Sequence, residues 1–203
     1  MNSLSTGIGN AKGASAHVAM LRMGMIKGIK PANTAPFNTS RGNRYIYTMV
    51  GGWIDMAHFM FYAGRAYYYK QQKQQALDII HSDELSYMSQ EAQLQLLQQA
   101  SLDPLGESLQ DGFLQEFVDY FTARHSAYSY EDLPSDKYGA DFGANYFNPN
   151  SDESFSEQIM HYMNGVLKAT SPDKSPNYND IPEDYPDKPS QTNKTSKPLF
   201  LIK

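Results

Sequence analysis

Apolar residues recur three and four positions apart at Val18, Leu21, Met25 and Ile29, and this spacing predicts a short helix over 14–29, weakened by Gly24 and Gly28. Residues 31–43 are turn-rich. The stretch 44–50 is β-branched and aromatic, which predicts a short strand that Gly51-Gly52 then breaks. From residue 53 to about 75 only Gly64 interrupts a helix, and its first half is apolar almost all round, as expected of a helix covered on every side. Its second half, KQQKQQ at 70–75, is polar on every side and is expected in solvent. Leu85, Met88, Ala92 and Leu96 give the Gln-rich segment 83–100 a helical stripe, with Ser82 as its cap. Leu109, Phe113, Phe117, Tyr120 and Phe121 make one broad apolar face on a helix over about 106–124. Residues 125–150, punctuated by Pro134, Gly139, Gly143 and Pro149, predict a long structured loop held by aromatic anchors. A last helix is predicted over 155–167, where Ser154 and Glu157 have capping-box spacing.

These elements predict a mainly α fold: a single helical domain around a buried central helix, with long structured loops and at most a short strand or hairpin. The 203 residues suffice for one sizeable core. The expected organisation is a basic Gly-rich arm over 1–41, one globular domain over 42–170, and an extended Pro/Asn/Lys-rich tail over 171–203. No stretch is apolar for long enough to span a bilayer, and no signal peptide is visible. Hydrophobic residues at 40% and charged residues at 19% exclude an acidic disordered polymer and a coiled coil. The absence of Cys excludes disulfides, thiolate metal sites and a Cys nucleophile.

Charge changes the picture of partners. Six of the 17 basic residues precede Asp55, the first of the 22 acidic residues, so the arm carries +6 and the remainder −11. The plain account is a basic arm lying on its own acidic body, and the alternative is an outside anionic partner. A net charge of −5 disfavours nucleic acid, whose binding needs a net basic face.

Within the apolar stretch, Asp55, His58, Tyr62, Arg65 and Tyr69 fall in one arc of roughly 80° at 100° per residue. Two accounts fit this stripe. It is either a ladder of buried ion pairs, Asp55 with His58 and Arg65 with an acid elsewhere, or the lining of a catalytic or ligand-binding cleft. Glu116, beside Gly112, has room to join Asp55 and His58 from a neighbouring helix. A histidine with carboxylates suits acid–base work and is compatible with a divalent metal. A further set, His125, Ser126, Ser129, Glu131, Asp132 and Asp136, offers a nucleophile, a base and carboxylates, or else ties its loop to its own backbone. The motifs HEXXH, GXSXG and the P-loop are absent.

Two stretches carry a family resemblance: GNRYIYTMVGGWIDMAHFMFYAGRAY at 42–67 and HSAYSYEDLPSDKYGADFGANYFNPNS at 125–151. Together they resemble the variable C-terminal domains that follow the core repeat of Rhs-type polymorphic toxins in Bacteroidota, over a span from Gly42 to the TNKT at 192–195. GGWIDMAH and SYEDLPSD are also similar to a family of bacterial lipoprotein-like domains with no assigned activity. The Rhs resemblance implies an effector secreted or delivered into a target bacterial cell, a cognate immunity protein, and a parent Rhs shell or secretion apparatus. It implies no reaction, because such domains carry unrelated activities. The Gln-rich segment 71–105 stands outside the signature and reads as an insertion. The leading functional expectation is a hydrolase acting on a cell-envelope or other bacterial substrate. Its site would be built from Asp55, His58, Glu116, His125, Ser129, Glu131 and Asp132. The alternative is a non-enzymatic domain that disturbs membranes or binds a receptor.

Overall fold

The computed structural model describes residues 9–24, 45–122 and 132–176. It is mainly helical. The elements are α1 (Gly13–Gly24), the strands β1 (Tyr45–Thr48) and β2 (Gly52–Asp55), then α2 (Met56–Ile80), α3 (Gln90–Ala100), α4 (Pro104–Thr122), α5 (Asp132–Asp141) and α6 (Phe155–His161). None of the described helices is long and apolar enough to cross a membrane.

The Gly51-Gly52 doublet turns the chain back on itself. Tyr45 pairs with Asp55 and Thr48 with Gly52 in an antiparallel hairpin, and Gly52 takes a φ of +69° that a side chain would resist. Residues 53–55, expected to be helical, are therefore the second strand, because the bulky Trp53 and β-branched Ile54 fit a pleated and fully buried surface. Helix α2 begins only at Met56. Asp55 caps it, its Oδ1 accepting the Ala57 N–H at 2.8 Å.

Helix α2 is central, as its apolar first half predicts, and α1, α3, α4 and α5 all pack on it. Its KQQKQQ segment departs from expectation. The chain after it folds back alongside, so residues 70–73 are half-buried and the Lys73 ammonium donates to the Leu102 carbonyl at 2.9 Å. Ser82 caps a short 3₁₀ turn (Asp83–Tyr87), while Ser89 caps α3. Of the α3 residues only Leu96 is buried.

The predicted loop over 125–150 is the largest departure, because residues 132–146 are helical, ending in a π turn over Phe142–Tyr146. Pro134 is tolerated there because it stands in the first turn of α5, where backbone N–H groups have no intrahelical acceptor. Gly139 and Gly143 are contact residues. A Cβ on Gly139 would lie 2.2 Å from the Phe59 carbonyl oxygen, and one on Gly143 would lie 2.0 Å from that of Ala63.

The core runs from Met20 and Met23 of α1 through Phe59, Met60 and Ala63 to Phe142, Phe147, Phe155 and Ile159. Helix α1, which lies within the basic arm of the sequence reading, thus contributes to this core. Gly24 meets Gly64 so closely that a Cβ on Gly24 would sit 2.3 Å from the Gly64 carbonyl carbon. Ser154 and Glu157 form the anticipated capping box on α6, which passes into a second π turn (Tyr162–Val166). Residues 167–170 then run beside the hairpin, with the Met49 N–H donating to the Lys168 carbonyl and the Thr170 N–H to that of Tyr47. Packing continues beyond Thr170, where the buried Ser175 hydroxyl donates to the Thr48 carbonyl at 3.1 Å.

Candidate functional site

The first turn of α2 and the first two turns of α5 meet at His58. Its Nδ1 donates to Asp136 Oδ1 at 2.8 Å, and its Nε2 lies 3.4 Å from Asp132 Oδ1. Only 12% of the His58 side chain is exposed, against 8% for Asp132 and 2% for Asp136. The two aspartates are four residues apart, so one face of α5 presents both carboxylates. The Asp55 N–H donates to Ser135 Oγ at 2.8 Å, which fastens the start of α2 to the same helix. Asp132 also stands at the N-terminus of α5, where the helix dipole favours a negative charge.

Burial alone disfavours the His58 imidazolium. The charges of Asp132 and Asp136, the hydrogen bond to Asp136 and the charge of Asp55 outweigh it and hold the pKa well above 6.5. Burial pushes the Asp136 carboxyl up to about 6, against the opposing pull of His58. Near neutral pH the pair is accordingly an imidazolium against a carboxylate. Asp136 Oδ2 is buried and has no hydrogen-bond partner among the described residues. It faces Gly112 of α4, where a Cβ would come within 2.9 Å of it.

Both shifts favour the folded chain at low pH. Folded His58 keeps its proton to a higher pH than the unfolded chain, so its contribution is complete below about 6.5 and lost as pH climbs through the folded value. Folded Asp136, near 6 instead of 3.8, adds a fall in stability across that lower window. The melting-temperature advantage of the wild type over His58→Gln should therefore be largest near pH 6 and shrink toward pH 9. An advantage that grows with pH would contradict the assignment.

The polar stripe divides into two clusters. Further along α2, Arg65 donates from Nε to Asp111 Oδ2 at 2.9 Å and from Nη2 to the same oxygen, while the Tyr69 hydroxyl donates to that oxygen at 2.9 Å. Asp111, on α4, is the acid the ion-pair account required for Arg65. Nothing in the sequence singles it out, because it lies opposite the apolar stripe that defines its helix. Tyr62, between the clusters, is fully buried.

Of the residues expected at the site, Asp55, His58 and Asp132 come together, Asp55 as a helix cap and nearby charge. Glu116 falls within α4, one turn past Gly112, with its side chain outside the described part of the structure. His125, Ser129 and Glu131 lie outside the described residues. Asp136 has the shortest contact with His58. Its signal was the Asp-x-x-x-Asp spacing over 132–136, which carries meaning only once that segment is read as a helix. Among the described residues no group of three or more His, Asp or Glu side chains is arranged to hold a metal ion. Asp132 and Asp136 engage opposite ring nitrogens of His58, an arrangement that cannot converge on one cation.

Compared with family models, curated proteins and solved structures, the chain matches none of them.

Proposed function

We propose that the chain is a delivered interbacterial effector and that His58, held by Asp136, transfers protons in a hydrolytic reaction on a cell-envelope substrate. The observation that supports this most is the histidine itself: a charged ring 12% exposed, oriented at Nδ1 by a short hydrogen bond and only loosely approached at Nε2. The raised pKa favours an acid role over a base role. Nε2–H gives its proton to the leaving group while Asp132 takes one from the attacking water, so that water is divided across the broken bond. The toxin role, the immunity protein that would block it and the Rhs delivery apparatus rest on the resemblance of residues 42–67 and 125–151. The net acidic charge supports an envelope target over nucleic acid.

Asp136→Asn tests this reading, because it keeps the acceptor at Nδ1 and the side-chain volume while removing the charge. The wild type, sent to the periplasm of a susceptible bacterium, should stop growth. Folded Asp136→Asn should kill about 10² to 10⁴ times less effectively, the loss expected when His58 is no longer held as an acid. A folded variant that kills as fast as the wild type would move the reading to non-enzymatic membrane disturbance or receptor binding. Absence of toxicity in both periplasm and cytoplasm would refute the effector role.

A further inference from the structure

On the opposite face of α2 from His58, about 13 Å along the helix at 1.5 Å per residue, the surface opens into a cleft of about 570 Å³ between α2, the N-terminus of α1 and the segment after α5. This size suits a small molecule. His17, Tyr67 and Lys70 line one side, and Asn145, Tyr146 and Asn148 the other. His17 Nδ1 and the Tyr67 hydroxyl share a 2.7 Å hydrogen bond that fixes both rings. Among the described residues no carboxylate lines the cleft, in a protein whose net charge is −5. Lys70 is half-buried there and has no ion pair or hydrogen bond among the described residues. Burial lowers its pKa, as expected of an ammonium without a counter-charge.

A cation left unpaired at a cleft asks for an anion. The rest of the lining asks for more than an anion. Carboxamides of Asn and Gln are both donors and acceptors and suit a ligand rich in hydroxyl groups. The Tyr146 ring, 49% exposed and braced edge-on against Tyr162 at 4.8 Å, is a flat apolar plate at the rim. From this combination we infer that the cleft binds a carboxylate-bearing sugar, one or two residues long, with its carboxylate on Lys70, its hydroxyls on the carboxamides and one ring face on Tyr146. The cleft is separate from the His58 centre, so the assignment does not depend on the proposed hydrolysis.

The experiment is a titration of the full chain with glucuronate, with glucose and acetate as controls, followed by amide chemical shifts around Tyr67 and Lys70. Glucuronate should bind at least tenfold more tightly than either control. Lys70→Met, which keeps the apolar stem, should reduce that affinity about tenfold and bring it to the level of glucose. Tyr146→Leu, at a half-exposed ring, should weaken glucuronate and glucose alike and serves if Lys70→Met fails to fold. Acetate binding as well as glucuronate would overturn the sugar assignment. Glucuronate binding no better than glucose, or unchanged in Lys70→Met, would overturn the role of the lysine.

Discussion

His58→Ala should destabilise the domain by about 3–5 kcal/mol, a large share of the roughly 5–15 kcal/mol that holds an ordinary domain folded. The cost comes from what is left behind. Asp136, with only 2% of its side chain exposed and its Oδ1 on the imidazole, loses the charge that its carboxylate faces. Truncating His58 therefore tests stability first and activity second. Adding Asp136→Asn to His58→Ala removes one stranded charge and should recover part of the loss. The coupling between the two changes, read from a double-mutant cycle by urea denaturation, should exceed 1 kcal/mol on the scale found for residues in direct contact. Additive effects, or a His58→Ala protein as stable as the wild type, would show that the pair does not hold α5 on α2.

Valine at Gly139 or Gly143 should be nearly as damaging, at about 3 kcal/mol or above, the upper end of overpacking. The atoms that an added Cβ would meet are the backbone carbonyls of Phe59 and Ala63, which cannot swing aside as a side chain can. Relief requires α5 to move off α2, and α5 carries Asp132 and Asp136 to His58. Activity should thus fall with stability. Gly165→Ala is the control: a Cβ there meets nothing within 4 Å, and its melting temperature should stay within the small range of neutral surface changes. A Gly143→Val protein melting with the wild type would show that the two helices are not held at this separation.

The long apolar run over 53–66 made the central helix legible, and its polar stripe made His58 and Arg65 legible as residues needing partners. Those partners were harder to find. Asp111 lies on the polar side of an amphipathic helix, where an acidic residue has no reason to stand out until the neighbouring helix is in place. Asp136 was obscured by Pro134, Gly139 and Gly143, which taken singly mark turns. In the folded chain the proline occupies a helix start and the glycines are points of backbone contact, meanings set by tertiary packing. The strand character of Trp53-Ile54 was similarly masked, because a short apolar run has no period to separate strand from helix. Asp55 was placed on the stripe by its spacing, yet its position as the last residue of β2 makes it the cap of α2. The capping box at Ser154 and Glu157 was readable because it is complete within four residues.

Backbone hydrogen bonds join early and late parts of the chain: the Phe155 N–H donates to the Ala11 carbonyl, the Ser156 N–H to that of Gly9, and the Val50 N–H to that of Leu167. Such contacts span most of the sequence, and closing them costs loop entropy before any packing rewards it. During synthesis from the N-terminus, the hairpin and α1 are made long before the residues that complete them. A ribosome-bound intermediate ending before residue 155 leaves one edge of the hairpin and the backbone before α1 without these partners, and an open strand edge invites wrong pairing between chains. The late arrival of α6 and residues 167–170 thus sets the interval during which the nascent chain is open to aggregation or to a binding partner.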